Sequence, residues 1–140
     1  MSVKYFIDTN LFVYSFDNRQ PQKKERALAL IQEALETGQG MISTQVIQEF
    51  LNVATQKFSV PMKIEGARTY LRLVMNPLCQ IYPSLELYES CLELQAETKY
   101  SFFDSLILAA AVQGGCEVLY SEDLQDGQQV RGVRILNPYR

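Results

Sequence analysis

The chain has 140 residues, of which 47% are hydrophobic and 21% charged, and its formal net charge is −3. This length fits one domain over residues 1–140 with a sizeable buried core, and the composition argues against disorder. The sequence has no histidine, which excludes Ser-His-Asp and Cys-His catalysis, histidine general bases and histidine-ligated zinc. Hydrolysis by this chain would therefore depend on carboxylates and a hard, oxygen-binding metal.

Other features of the composition predict a reduced, cytoplasmic protein. No apolar stretch is long enough to span a bilayer, and we expect no signal peptide, because one lysine and then an acid open the chain. The cysteines at positions 79, 91 and 116 are odd in number and widely spaced. This spacing predicts neither a disulfide framework nor a CxxC metal site. The net charge gives no basic field that would advertise nucleic-acid binding.

The first predicted strand is an apolar run over residues 3–7 that ends on Asp8, Thr9 and Asn10. Such a run is typical of a buried parallel strand that delivers an acid to the edge of a sheet, where sites form in open α/β folds. Residues 9–14 predict a short helix. A second helix is predicted from Pro21 to Gly38, and its apolar residues repeat at helical spacing: Ala27, Leu28, Ile31, Ala34 and Leu35.

Residues 40–43 predict a second strand, and Ser43 or Thr44 can cap the helix that follows. On that helix Glu49 lies on the flank of the apolar arc, past the first turn, where it can point along the sheet edge towards Asp8. Taken alone, a glutamate there is more often solvated. Residues 61–74 predict a third helix that stops before Asn76-Pro77, and residues 78–82 a short strand. Ser84 then caps a further helix. We expect this region to serve packing, or a partner surface on the helix that starts at Pro61.

Ser101 opens a strongly apolar helix that we expect to be buried. Asp104 fits the acid of a capping box started by Ser101. It also places a carboxylate at a helix N-terminus, where the dipole favours the ionised form. Residues 117–121 predict the next strand, and an acidic loop over residues 122–127 follows it, which alone would be an ordinary turn. Residues 132–136 predict the final strand.

The alternation of strands and helices predicts a three-layer α/β/α domain with a mostly parallel central sheet. In that fold Asp8, Asp104 and Asp123 fall at the same edge of the sheet, and Glu49 lies on a neighbouring helix. Clustered carboxylates repel one another, and a divalent cation is the usual reason to keep them together and ionised. Mg²⁺ or Mn²⁺ fits ligands that are all oxygen. The matching chemistry is hydrolysis of a phosphodiester by a metal-activated water.

These positions, in this order, resemble the PIN-domain family, and most closely the single-domain bacterial VapC-type toxin ribonucleases. The residues that carry the resemblance are Asp8-Thr9-Asn10, Glu49, Asp104, Ser121-Glu122-Asp123 and the terminal Val-Arg-Ile-Leu-Asn-Pro strand. The resemblance covers essentially the whole chain. It implies a Mg²⁺- or Mn²⁺-dependent endoribonuclease, often a toxin neutralised by a cognate antitoxin and often a homodimer, with RNA as substrate and no membrane partner.

The resemblance also implies the site. Its catalytic, metal-binding quartet would be Asp8, Glu49, Asp104 and Asp123. The supporting polar residues would be Asn10 and Ser121, with Thr9 as a further candidate. The family pattern of a hydroxyl residue, any residue and then aspartate selects Asp123 as the fourth acid, and Glu122 and Asp126 stay open as substitutes. Selectivity for an RNA target would depend on loop shape and on scattered cations such as Lys57, Lys63, Arg68 and Arg72.

Two other classes of function stay open. A receiver-like or phosphatase-like phosphoryl-transfer domain also gathers carboxylates and Mg²⁺ at a sheet edge. The phosphatases usually have aspartate two residues after the nucleophile, where this chain has Asn10, and receivers have paired acids after the first strand, where Asp8 has no acidic neighbour. The second alternative is a non-catalytic PIN-like binding module whose pocket is vestigial.

Overall fold

A computed structural model of the protein describes residues 3–140. The six strands within these residues are β1 (Tyr5–Ile7), β2 (Gly40–Ser43), β3 (Cys79–Ile81), β4 (Val118–Tyr120), β5 (Gln129–Val130) and β6 (Val133–Leu136). They form one sheet in the order β3-β2-β1-β4-β6-β5. Neighbouring strands are parallel except β5 and β6, which pair antiparallel.

Helices flank this sheet, so the predicted three-layer α/β/α fold with a mostly parallel central sheet is confirmed. They are α1 (Thr9–Tyr14), α2 (Pro21–Thr37), α3 (Thr44–Gln56), α4 (Ile64–Tyr70), a π-helical turn (Leu71–Met75), α5 (Asn76–Leu78), α6 (Leu85–Thr98) and α7 (Phe102–Gln113). Within residues 3–140 none of the helices has the length and apolar character needed to cross a bilayer.

Local sequence signals set most of the helix ends. Pro21 occupies the first turn of α2, and Gly38 ends that helix in the left-handed region with φ 73°. The Ser84 hydroxyl accepts a hydrogen bond of 3.0 Å from the Leu87 backbone N–H at the start of α6. The Ser101 hydroxyl accepts one of 3.2 Å from the Asp104 N–H at the start of α7. These predicted helix ends are confirmed. At Gly38, Ser84 and Ser101 the cap also satisfies a backbone group that the helix leaves unpaired.

The apolar helix α7 anchors the core, as predicted. Leu108, Ala109 and Ala110 are fully buried, and the helix packs against β2, β4 and α6. Burial of one large apolar side chain contributes about 1.5–3 kcal/mol. This packing fixes the N-terminal turn of α7, which carries Asp104, beside the ends of the central strands.

Two predictions about the helices are wrong in detail. The helix predicted over residues 61–74 begins at Ile64 and continues through Asn76-Pro77 to Leu78. The chain passes the proline because the π-helical turn bonds the Asn76 N–H to the Leu71 carbonyl, so the missing N–H of Pro77 interrupts no regular ladder. In α2 the buried stripe includes Leu30, whereas Leu28 and Leu35 are exposed. The two-residue strand β5 was also missed.

The cysteines are buried, free thiols, as predicted. Burial raises the pKa of the Cys116 thiol to about 12. Burial also raises the pKa values of Cys79 and Cys91. All three side chains therefore pack as protonated, apolar groups.

Candidate functional site

The strand order places the ends of β1 and β4 side by side. These strands pair in parallel, with Ile7 opposite Tyr120, so Asp8 and Ser121 emerge next to each other. The Ser121 hydroxyl donates a hydrogen bond of 2.7 Å to Oδ2 of Asp8. The Thr9 backbone N–H donates one of 2.7 Å to Oδ1 of the same carboxylate. Both oxygens of Asp8 are therefore held from the protein side.

Asp8 is a buried carboxylate, only 7% exposed. Burial raises its pKa from the ordinary 3.8 to about 7, and the hydrogen bonds from Ser121 and Thr9 oppose this shift. The nearby charges of Asp123 and Glu49 raise the pKa further. No cationic side chain within residues 3–140 forms a salt bridge with Asp8, so its charge has no counter-charge from this part of the protein.

Glu49 reaches the same place from α3. The Thr9 hydroxyl donates a hydrogen bond of 2.6 Å to Oε1 of Glu49, which joins α1 to α3. The flank position of Glu49 on its helix therefore points to the end of β1, as its spacing predicted.

Gln45 is a residue of this site that sequence reasoning missed. Its Nε2 donates to Oε2 of Glu49 and to the Phe103 carbonyl, in both cases over 3.1 Å, and the residue is buried. These bonds connect Glu49 to the N-terminal end of α7. The available signal was the four-residue spacing between Gln45 and Glu49, which places two polar side chains on one helix face.

Asp104 and Asp123 complete the set of acids. Asp104 lies in the first turn of α7 and lines the same cavity as Asp8 and Glu49. Asp123 follows β4; its N–H donates to the Ser121 hydroxyl over 3.2 Å, and its Oδ2 accepts a hydrogen bond of 2.7 Å from Asn10 Nδ2. Burial and the charge of Asp104 raise the pKa of Asp123.

The other two acids of this loop face elsewhere. Glu122 accepts a hydrogen bond of 2.5 Å from Lys23 Nζ, and this bond holds the pKa of Glu122 below its usual value although partial burial raises it. Oδ1 of Asp126 accepts from the Asn137 N–H over 2.7 Å. Neither side chain lines the cavity. Of the three candidates for the fourth acid, the structure brings Asp123 to the cavity.

The cavity has a volume of about 310 Å³ and is open to solvent. Its polar lining comes from α1, α3, the start of α7 and the loop after β4: Asp8, Thr9, Asn10, Gln45, Glu49, Asn52, Asp104 and Asp123. As the side chains stand, no three metal-ligand side chains of the aspartate, glutamate, cysteine or histidine type within residues 3–140 can hold an ion. A hard cation that keeps several of its own waters, as Mg²⁺ does, would need fewer direct ligands from this oxygen-rich lining.

Comparison with known proteins places the chain in a family. The family model for the PIN domain matches residues 5–126, and no curated protein gives a significant match. Among solved structures, the chain is similar to a toxin–antitoxin complex from Klebsiella pneumoniae, with TM-score 0.67 and 24% identity over 97% of this chain and 98% of that chain.

Two further structures are also similar. VapBC2 from Rickettsia felis, bound to a DNA fragment from their promoter, has TM-score 0.65 and 20% identity over 94% of this chain and 96% of that chain. VapC20 from Mycobacterium tuberculosis, a sarcin-ricin loop cleaving toxin, has TM-score 0.59 and 18% identity over 86% of this chain and 90% of that chain. These likenesses establish a shared fold. Since the PIN-domain match spans most of its length, the chain belongs to the PIN domain family.

Proposed function

We propose that this protein is a Mg²⁺- or Mn²⁺-dependent endoribonuclease and the toxin of a toxin–antitoxin pair. One observation carries the proposal: four acids from separate segments line one cavity, namely Asp8, Glu49, Asp104 and Asp123. Each acid has an ordinary explanation on its own, but their convergence places like charges together at an electrostatic cost. A site for a divalent cation explains why the chain accepts that cost.

The residues of the cavity fit a hard cation. Their donor atoms are oxygens, which suit Mg²⁺ and Mn²⁺, and the buried Asp8 carboxylate has no salt-bridge partner within residues 3–140. Asp8 and Asp104 would be the principal ligands. Glu49 and Asp123 would complete the shell, partly through water, which suits an ion that retains part of its hydration shell.

The chain's own residues prepare these ligands. Ser121 and Thr9 each donate to one oxygen of the Asp8 carboxylate, and Asn10 donates to Oδ2 of Asp123. Each carboxylate oxygen keeps a further acceptor site, so the acids can face the cavity without losing their supports. A bound divalent cation would neutralise charge on the phosphodiester and lower the pKa of a bound water. Glu49 or Asp123 would orient the attacking water.

The similar structures support the partners of this proposal. One of them is described as a toxin–antitoxin complex, another as VapBC2 bound to a DNA fragment, and the third as a toxin that cleaves the sarcin-ricin loop. A cognate antitoxin is therefore a proposed protein partner. A second copy of this chain is also proposed, as the family resemblance implies. Helix α6 exposes a stripe that could serve them, formed by Leu85, Tyr88 and Leu92, which are 83%, 38% and 57% exposed.

Family membership favours the nuclease over the receiver-like or phosphatase-like alternative. The direct test incubates total cellular RNA, transfer RNA included, with purified protein and Mn²⁺. We expect discrete cleavage products that disappear with EDTA and with Asp104→Asn. Glu86→Gln is the matched control, because Glu86 is also an acid in a helix first turn but lies on α6, outside the cavity.

Cleavage that survives Asp104→Asn would contradict the proposal. If the protein also fails to bind Mn²⁺, the non-catalytic PIN-like module would replace the nuclease.

A further inference from the structure

A second groove adjoins the carboxylate cavity. It has a volume of about 410 Å³, and Val53 lines both spaces. One wall of the groove is residues 16–19, at the end of α1 and beyond it, and the other is residues 57–60, just after α3. The groove therefore lies next to the carboxylate cavity along α3.

The direction of the groove follows from the two helices beside it. Glu49, Val53 and Lys57 are four residues apart and lie on one face of α3, so Lys57 is roughly 12 Å from Glu49 along the helix axis. Helix α1 runs alongside: its first residue, Thr9, bonds to Glu49. Phe16, beyond its other end, packs against Phe58 with ring centroids 5.8 Å apart. The groove thus runs from the acids to Phe16 and Phe58. A short stretch of nucleic acid could cover this distance.

Phe16 offers an apolar ring to this groove. The residue is 40% exposed, yet its ring is held by contacts with Phe50 and Tyr70 at centroid distances of 5.8 and 5.2 Å. The ring is therefore fixed and partly open. Nucleobases stack on such aromatic side chains regardless of base identity.

The charge of the groove is opposite to that of the cavity. Lys57 is exposed and forms no salt bridge within residues 3–140. Arg19 pairs with Asp17 through two bonds of 3.0 and 3.3 Å, so these two charges compensate each other. Because the charge of Lys57 is not compensated, the groove carries one net positive charge, next to a cavity lined by four acids. This arrangement of charges suits a polyanion that has one phosphate at a metal in the cavity and another at Lys57 in the groove.

Backbone hydrogen bonds also hold the wall of the groove that follows α3. The Val53 carbonyl accepts hydrogen bonds from the N–H groups of both Lys57 and Phe58, at 2.8 and 3.1 Å. The Met62 N–H bonds to the Ala54 carbonyl at 2.9 Å, which ties the loop after α3 back to the helix. Preorganised groups of this kind lose little entropy when a ligand binds.

We propose that this groove is a subsite for single-stranded RNA, in which a base stacks on Phe16 and a neighbouring phosphate pairs with Lys57. The inference rests on the ribonuclease function proposed above, and it adds which residues of this chain hold the RNA beyond the carboxylate cavity. A peptide could also cover apolar side chains, but the continuity with the acids and the free lysine charge favour RNA.

Binding of a fluorescein-labelled, mixed-sequence, single-stranded RNA tests the subsite. The protein carries Asp104→Asn so that the RNA stays intact with Mn²⁺ present. We expect Lys57→Gln to raise Kd about tenfold and to lower the slope of log K against log salt by about 0.7. Lys57→Arg should restore both. Phe16→Leu, which keeps an apolar side chain against Phe50, should raise Kd about tenfold through lost stacking.

Arg134→Gln is the control, because Arg134 is an exposed cation on β6 that lines neither space. A second readout is photo-cross-linking of 4-thiouridine RNA, with the cross-link expected on the peptide that carries Phe16 or Phe58. Variants that bind RNA as Arg134→Gln does, with cross-links elsewhere, would overturn the subsite. If the chain without Asp104→Asn still cleaves RNA in that case, the ribonuclease stands; if it neither cleaves nor cross-links, both proposals fail.

Discussion

The Ser121 hydroxyl donates a hydrogen bond to Asp8 over 2.7 Å, although 113 positions separate the two residues in the chain. The bond exists because β1 and β4 are parallel neighbours that end at the same level. The same hydroxyl accepts from the Asp123 N–H over 3.2 Å. One serine thus positions two of the four acids, and it does so from a fully buried location.

Replacing Ser121 by alanine should therefore weaken the site without unfolding the protein. We expect Ser121→Ala to lower RNA cleavage about 10–100-fold, the usual cost of removing a partner that orients a metal ligand. Ser105→Ala is the control, because the buried Ser105 hydroxyl has no hydrogen-bond partner within residues 3–140. Equal initial rates for both variants would show that the bond to Asp8 does not matter.

Loss of charge at the adjacent acids Glu122 and Asp123 should affect the cleavage rate differently. Asp123→Asn should lower cleavage at least tenfold, because Asp123 lines the cavity. Glu122→Gln should leave cleavage near the parent rate, because Glu122 is paired with Lys23 outside the cavity. Single-turnover rates at saturating Mn²⁺ make the comparison, and the reverse order of the two effects would move the fourth acid to Glu122.

Gln45 should act as a positioning residue for Glu49. In Gln45→Leu the carboxylate loses its donor from α3, and we expect the Mn²⁺ concentration for half-maximal cleavage to rise about tenfold. Loss of the bond to the Phe103 carbonyl should also destabilise the fold by about 0.5–1.5 kcal/mol. Gln48→Leu, on the exposed side of the same helix, is the control. A lower Tm with an unchanged Mn²⁺ requirement would reduce Gln45 to a structural role.

Asp8 should make the metal-free protein less stable as pH rises. Its pKa is 3.8 when unperturbed and about 7 in the fold, where burial penalises the charged form. Between these values the unfolded chain releases a proton that the folded chain keeps, so the free energy of unfolding falls from about pH 4 to pH 7. Asp8→Asn should remove that slope and gain on the order of 1–3 kcal/mol at pH 8 in EDTA. The gain is limited because the Ser121 hydroxyl loses its carboxylate acceptor.

Urea unfolding in EDTA at pH 5 and pH 8 measures this effect. Asp126→Asn is the control, since Asp126 caps the Asn137 N–H on the surface. Equal pH dependence in Asp8→Asn and the parent protein would mean that Asp8 is ionised in the fold without a cation.

Much of the fold follows from local signals in the sequence. Pro21, Gly38, Ser84 and Ser101 mark helix ends through their own backbone chemistry, and the apolar run before Asp8 marks the central strand. The predictions that were wrong concern elements whose structure depends on tertiary contacts. The π-helical turn before Pro77 has no local signature, and β5 exists only because it pairs with β6. Periodicity also could not choose between Leu28 and Leu30 as the buried side of α2.

The site also combines features that local sequence predicts with features that depend on tertiary contacts. Asp8 and Asp104 stand at a strand end and a helix start, so their place at the sheet edge could be predicted. The family resemblance selects Asp123 over Glu122, but the pairing of Glu122 with Lys23, which lies 99 positions away, could not be predicted from the sequence. Gln45 escaped notice because an amide near the start of a helix is common, and only its bond to the Phe103 carbonyl reveals a link between α3 and α7.

The most direct test of the central claim is Mn²⁺ binding, measured by electron paramagnetic resonance on the purified protein. If the four acids form one cation site, the parent protein binds Mn²⁺. Asp8→Asn and Asp104→Asn should then each weaken Mn²⁺ binding at least tenfold, while Glu86→Gln should bind Mn²⁺ like the parent. Absence of Mn²⁺ binding, or binding that is unchanged in both aspartate variants, would contradict a metal centre at this cavity.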